Sequence, residues 1–269
     1  MNTKLATASV TLVWALLGAF VVPARGSGPS EQIAHGQILW GERIITVTGS
    51  AAPSPKAANA AEARLGAERA ARLDAWRNIL EAVKGVTLSS SQTVGASLDA
   101  SPQIMAKVQG VLRNFKVLDT KYYSDGGVDV VVSMPLDGVL LTTVAPQQAT
   151  STIASEGEAE YTGLIVQAKG IGAKPALLPR ILDQSGAEIF AAHMLDPQAY
   201  QRHGVAGYAN DTKSAIEHER TGKKPLVISA SSSSGQQNTD LVLADADASK
   251  LRATNLSFLA QGKVMIVID

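Results

Sequence analysis

The chain has 269 residues, 45% of them hydrophobic but only 4% aromatic, so any core it builds is aliphatic. Its 24 basic residues balance 24 acidic ones, which argues against an electrostatic footprint for nucleic acid and against a polybasic membrane patch. Cysteine is absent: no disulfide can compensate for a thin core, and no lipobox thiol exists to carry an acyl anchor.

Met1 to about Ala24 has the order of a secretory signal, with Lys4 near the start, an apolar run from Val10 to Val22, and small residues after Pro23. Cleavage after Ala24 and cleavage after Gly26 both satisfy the small-residue rule, and either leaves about 245 residues, enough for one large domain or two small ones. The run is shorter than the ~20 apolar residues a bilayer requires, so a cleaved signal is expected rather than a retained anchor.

Residues 25–41 read as a polar, glycine-bearing lead-in. Arg43 to Gly49 then alternates as a half-buried strand should, and Ser50 to Pro55 ends it with turn residues. Lys56 to Lys84, rich in Ala, Glu and Arg and free of proline, predicts one long helix with Leu73, Trp76, Leu80 and Val83 on its buried face and Gly85 as its stop. Its first half offers mainly alanine, which implies close approach to whatever it covers. The arginines Arg64, Arg69, Arg72 and Arg77 among Glu62, Glu68 and Glu81 form a solvated side, with a partner surface as the alternative. Val86 to Val94 reads as a short strand or irregular crossing, and Ile104 to Leu112 as a short helix after Ser101-Pro102. Phe115 to Tyr123 and Val128 to Met134 bracket Ser124-Asp125-Gly126-Gly127, a hairpin signal.

Ala145 to Glu160 has the Pro, Gln, Ser and Thr content of a linker, which divides the chain into a first domain at 42–140 and a second at 161–269. In the second, Tyr161 to Ala168 reads as a strand. Ala176 to Leu182 and Ala187 to Ala191 flank a turn at Asp183-Gln184-Ser185-Gly186, and His193 to Lys224 reads as loop-rich. Pro225 to Ala230 and Asp240 to Ala244 read as strands separated by a polar loop, Ala246 to Ala253 as a short helix, and Lys263 to Ile268 as a buried terminal strand. The fold class expected is α+β.

The stretch from Ile44 to Leu136 resembles a known family. Its strand ITVTGSA, the helix markers Ala71, Ala75, Asn78 and Leu80, Gly85-Val86, and the Asp125-Gly126 turn leading into Val128-Asp129-Val130 resemble the LPP-type outer-membrane lipoprotein family and the related N-terminal domain of flagellar assembly protein T. That resemblance implies a dodecin-like domain, one long helix across a small antiparallel sheet, with no catalytic residues. The lipoproteins carry an acylated cysteine that this chain lacks, so a periplasmic protein, at most peripheral at the outer membrane, is expected.

Little in the sequence points to catalysis. His35, His193, His203 and His218 are scattered, with no pair at helical ligand spacing. Asp240, Asp245 and Asp247 lack the dense oxygen alternation and the glycine of a calcium loop, and an aspartate capping the short helix is the simpler account. Gly170-Ile171-Gly172 follows a strand, but the third glycine of a phosphate cradle is missing and Pro175 follows, which predicts a tight turn. Ser231 to Ser234 have no nearby base. For a flat cofactor, Trp76, Tyr122 and Tyr123 would be the stacking candidates. No catalytic, cofactor or metal residue is therefore assigned, and no cofactor is expected. The expectation is a non-enzymatic envelope protein with an assembly role, partnered by other envelope proteins, among them flagellar or surface-apparatus components, or by copies of itself. A ligand-binding module and a secreted enzyme are the alternatives.

Overall fold

The computed structural model describes residues 28–147 and 160–269. The expected signal and positions 148–159 of the expected linker lie outside them.

The chain before Arg43 is more than a lead-in. It forms a hairpin, β1 (Ser30–Ile33) and β2 (Gly36–Leu39), whose second strand pairs antiparallel with β3 (Ile44–Ala51). Ile38 and Trp40, both almost fully buried, anchor it.

Helix α1 (Ala60–Gly85) begins later than its composition implies, because Asn59 caps it. The Asn59 side chain accepts the Glu62 N–H at 2.9 Å while the Glu62 carboxylate accepts the Ala58 N–H at 2.9 Å, a reciprocal box that fixes the first turn. Its buried face also differs from the expected one. Leu73 is 50% exposed and Trp76 only partly covered, while Ala67, Ala71, Ala75, Ile79, Leu80, Ala82 and Val83 are buried. The cause is Gly49 in β3: a Cβ there would overlap the helix backbone at Ala71 and Ala75, so strand and helix meet almost backbone to backbone and only alanine fits between them. Two polar ties hold this contact, Asn78 Nδ2 donating to the Thr48 carbonyl at 2.8 Å and Asp74 accepting the Ser50 N–H at 3.0 Å. The helix leaves through Val86 in an extended conformation, so Gly85 is its last residue rather than a left-handed cap.

A small hairpin, β4 (Thr87–Ser89) and β5 (Gln92–Thr93), and two helices, α2 (Val94–Asp99) and α3 (Pro102–Leu112), carry the chain across the end of the sheet. Ser101 caps α3, as its place before Pro102 predicts. The expected hairpin follows as β6 (Lys116–Tyr122) and β7 (Val128–Pro135), turning at Gly126 with φ 85°. The five-stranded sheet runs β1-β2-β3-β7-β6, all antiparallel, with α1 lying on β3 and β7. A further helix, α4 (Val139–Val144), buries Leu140, Leu141 and Val144.

The second sheet is built from β8 (Gly163–Gln167), β9 (Ile181–Leu182), β10 (Glu188–Phe190), β11 (Gly207–Ala209), β12 (Pro225–Ser234), β13 (Asp240–Leu243) and β14 (Val264–Val267), in the order β10-β9-β13-β12-β8-β14-β11. Strands β12, β8, β14 and β11 are mutually parallel. The unbroken burial of Val264 to Val267 follows, because α6 (Thr212–Glu217) covers one face and the main core the other. The stretch His193 to Lys224 holds an edge strand as well as α5 (Pro197–His203) and α6, which its polar sequence hides. Ser231 to Ser234 are no loop: they extend β12 and pair with β13, Ser233 opposite Leu241 and Ser234 opposite Asp240. Helix α7 (Asp245–Arg252) has Ala244 at its cap position, and Asp245 and Asp247 sit in its first turn, where they complement the helix dipole without capping. A short α8 (Ser257–Ala260) precedes β14. The whole is mixed α and β, and one cluster of buried side chains runs through both sheets from Ile38 to Ile268.

Candidate functional site

The two sheets are joined by main-chain and side-chain bonds. Leu177 and Leu178 N–H groups donate to the Thr87 and Leu88 carbonyls, Gly138 N–H to the Gln201 carbonyl, and Gln237 N–H to the Ser90 carbonyl. Trp40 meets Tyr208 edge to face at 5.8 Å, and the buried Tyr208 hydroxyl both donates to the Ala176 carbonyl and accepts its N–H. Burial pushes the Tyr208 and Tyr200 hydroxyls up to about 12. Ala145 to Gln147, expected to begin the linker, dock on the second sheet instead: Tyr200 donates to the Ala145 carbonyl, and Gln147 Nε2 to the Ala192 and Leu195 carbonyls.

Two arginines converge at this junction on the end of α5. Arg43 Nη1 donates to the His203 and Ala206 carbonyls at 2.8 and 3.0 Å, and Arg220 binds the carbonyls of His203, Gly204 and Gly262. Gly204, at φ 59°, must lack a side chain, since a Cβ would run into the Arg43 guanidinium. Burial lowers the pKa of both, that of Arg220 to about 9, and Asp137, whose nearest oxygen is 3.9 Å from Arg43 Nε, opposes the shift. Nε and Nη2 of Arg43 are buried without a partner. The arrangement caps the carbonyls at the end of a helix and leaves no space for a ligand at Gly204, so it acts as a latch.

Beside it opens a cleft of about 330 Å³ lined by Ser89 to Ser91, Ala145 to Gln147, Arg180, Glu188, His193 and Tyr200 among others. Arg180 organises its charge, binding buried Asp240 through Nε and Nη2 at 3.2 and 2.5 Å, Glu188 through Nη1 at 3.1 Å and the Ser90 hydroxyl through Nη2. His193 Nε2 lies 3.7 Å from Glu188. Hydroxyls, a guanidinium edge and the unpartnered Gln147 Oε1 give the cleft both donors and acceptors. Glu188, the carboxylate in its lining, is shared between Arg180 and His193, while Asp240 holds Arg180 through Oδ2 and keeps Oδ1 buried without a hydrogen-bond partner.

The third feature is an outward face. On α1, Leu65 is 56% and Leu73 50% exposed; on β6, the open edge of the five-stranded sheet, Leu118 stands out at a register break between Val117 and Asp119. Tyr122 and Tyr123, about half exposed, are neighbours at the end of this strand and turn to opposite sides of it. Tyr122 donates to Glu68 and lies under Arg64, whose guanidinium carbon is 5.3 Å from the ring centroid, and Tyr123 donates to Asp129.

The residues singled out in the sequence are dispersed. His35 is in the β1–β2 turn, His193 in the cleft, His203 at the end of α5, and His218 in the turn after α6, where Nδ1 accepts the Arg220 N–H. Burial, then the nearby Arg220, lowers the pKa of His203 and His218. Among the described residues no three His, Asp or Glu side chains are grouped for a metal, and no helix is long and apolar enough to cross a membrane. Gly170 and Gly172 both have positive φ, and the Gly170 N–H donates to Asp269, so the turn is already filled by the chain's own carboxylate. Trp76 is not stacked on Tyr122 or Tyr123: it packs partly buried against the core. Sequence reasoning missed Arg43, Arg180 and Arg220, single arginines whose partners are far away along the chain.

Residues 163–269 match the family model of the second domain of Treponema pallidum Tp0624. The match spans β8 to β14, the entire seven-stranded sheet, and none of the five-stranded one. No curated protein matches the chain.

Proposed function

We propose that the chain is a non-enzymatic exported protein of the bacterial envelope, periplasmic or peripheral at the outer membrane, with a dodecin-like LPP-type module in its first half and an assembly role. Components of a flagellar or other surface apparatus are the partners this reading favours. The observation that carries it is the exposure of large apolar side chains on two elements, Leu65 and Leu73 of α1 among arginines and glutamates and Leu118 on an unpaired edge strand, residue types that a contact surface uses. A photo-crosslinking amino acid placed at Leu73 or Leu118 in cells is expected to give discrete adducts with envelope proteins or with the chain itself, the envelope adducts being absent when the protein is made without residues 1–24. Absence of any adduct at either position refutes the contact role.

The cleft supports a second reading, a module that holds a small polar ligand. Thermal stabilisation by a polar compound that disappears in Arg180→Met, with the fold intact, would favour it over assembly alone.

A further inference from the structure

Helix α1 has a second stripe, opposite the alanines that meet β3. Glu62, Leu65, Gly66, Arg69, Ala70, Leu73 and Arg77 are exposed along it at steps of three and four. Leu73 is a half-exposed knob, and Gly66 is a gap, with nothing within 4 Å of where a Cβ would stand. Knob and gap are separated by two helical turns, about 10.5 Å.

We propose that this stripe binds a second copy of the same chain, the two α1 helices pairing antiparallel about a two-fold axis between Arg69 and Ala70. The proposal rests on the contact reading of this face and names its occupant. With the axis there, Leu73 of each copy enters the gap at Gly66 of the other. Glu62 and Arg77 lie at equal distances on either side of the axis, so Glu62 of each copy faces Arg77 of the other, twice. One surface thus supplies both halves of two apolar knob-and-gap contacts and both members of two ion pairs, which is what an isologous interface demands. The neighbouring charges do not compete. Glu68 is bound to Arg72 and Tyr122, Arg64 lies over Tyr122, and Asp74 is tied to Ser50 and Asn78, all within one chain. Arg69 comes opposite Ala70 of the other copy, whose methyl leaves the long side chain room to reach solvent.

The test is light scattering or sedimentation of the processed, full-length protein from low to high micromolar concentration, with circular dichroism to confirm folding. A concentration-dependent dimer is expected. Arg77→Glu alone sets like charges opposite each other twice and is expected to weaken it about tenfold or more; Glu62→Arg does the same, and also loosens the first turn of α1. Mixing these two variants is the decisive arm. Each self-repels, but a heterodimer of the two restores both ion pairs, so the mixture is expected to dimerise about as tightly as the parent. A protein that stays monomeric throughout overturns the proposal, and so does a mixture no tighter than its components. If the protein is monomeric while the crosslinker at Leu73 captures only other envelope proteins, self-pairing fails and the contact reading stands; with no adduct, both fail.

Discussion

Replacing Arg43 by methionine is expected to leave the protein as stable as the parent or to stabilise it, although Arg43 joins the two sheets. Arg43 is 8% exposed, so its guanidinium is almost entirely out of water. What it gains is two bonds from Nη1, to the carbonyls of His203 and Ala206, and a charged hydrogen bond of this kind contributes roughly 1.5–3 kcal/mol. Against this stand a desolvation cost of several kcal/mol for the buried ion and about 1–3 kcal/mol for each unpartnered polar group, here Nε and Nη2. Asp137 offsets little of it, being 3.9 Å away and 30% exposed. When Arg43 is removed, the His203 carbonyl keeps Arg220 as its donor, and only the Ala206 carbonyl loses one. Methionine fills most of the stem's volume and carries no charge, and Asp137, 30% exposed, is left in contact with water and not as a buried lone charge, so the variant is expected between unchanged and about 4 kcal/mol more stable, the upper end being what replacing a whole buried ion pair gives. Arg43→Ala, which leaves a cavity in place of the methionine side chain, is expected to be about 2–5 kcal/mol less stable than Arg43→Met. Urea unfolding followed by circular dichroism measures both. A loss above about 2 kcal/mol for Arg43→Met, at an unchanged denaturant slope, would show that the guanidinium is a net anchor and that the reasoning fails.

Three other perturbations test other links of the fold. Gly49→Ala places a methyl where the α1 backbone lies, and since backbone cannot give way as a side chain can, a loss of about 3 kcal/mol or more is expected, a drop of roughly 6–12 °C in Tm by calorimetry. Tyr208→Phe strands both the N–H and the carbonyl of Ala176 and is expected to cost about 1–3 kcal/mol in the same measurement, with Arg43→Met unaffected in its sign. The Ser185 hydroxyl first, and then Arg252, hold the Asp183 carboxyl well below its ordinary value of 3.8. A carboxyl so depressed contributes stability that is present above pH 3.8 and lost as pH falls toward its folded value, so the parent is expected to lose stability below about pH 4 more steeply than Asp183→Asn does. Equal slopes in an acid titration would discount this turn as a source of acid sensitivity.

Several elements were legible because a local chemical signal suffices for them. Asp125-Gly126-Gly127 demanded a turn with positive φ and has one; Asp183 with Gly186 likewise, the aspartate accepting N–H groups from Ser185 and Ala187. The Ser101-Pro102 helix start and the continuous apolar run of β14 needed no distant partner to be read. The β1–β2 hairpin, β11 and the serine end of β12 were hidden because short or polar strands are made by their neighbours: Ser231 to Ser234 are a strand since β13 is alongside. The arginines of the latch and the cleft were illegible for the same reason, as Arg43 lies 160 residues before the His203 carbonyl it binds.

The helix is instructive, because its large side chains have the spacing of one face and the structure buries only part of that face: Leu80 and Val83 are inside, Trp76 partly so, and Leu73 is out. A rule that turns Leu73 and Trp76 inward assumes an ordinary distance between helix and sheet, at which large side chains fill the gap. At Gly49 that gap closes, and the ranking inverts locally: Ala71 and Ala75 are inside and Leu73 is left out, while Leu80, farther along the helix, is buried. The same alanines had already implied a close approach, so the sequence contained both statements and the steric one prevails. The exposure of Leu65 and Leu73 is thus a consequence of the packing beneath them, and it leaves two large apolar side chains among the charges of the outer side of α1. A helix with one apolar face buried in its own chain and leucines among complementary charges on the other has an outer side suited to a contact.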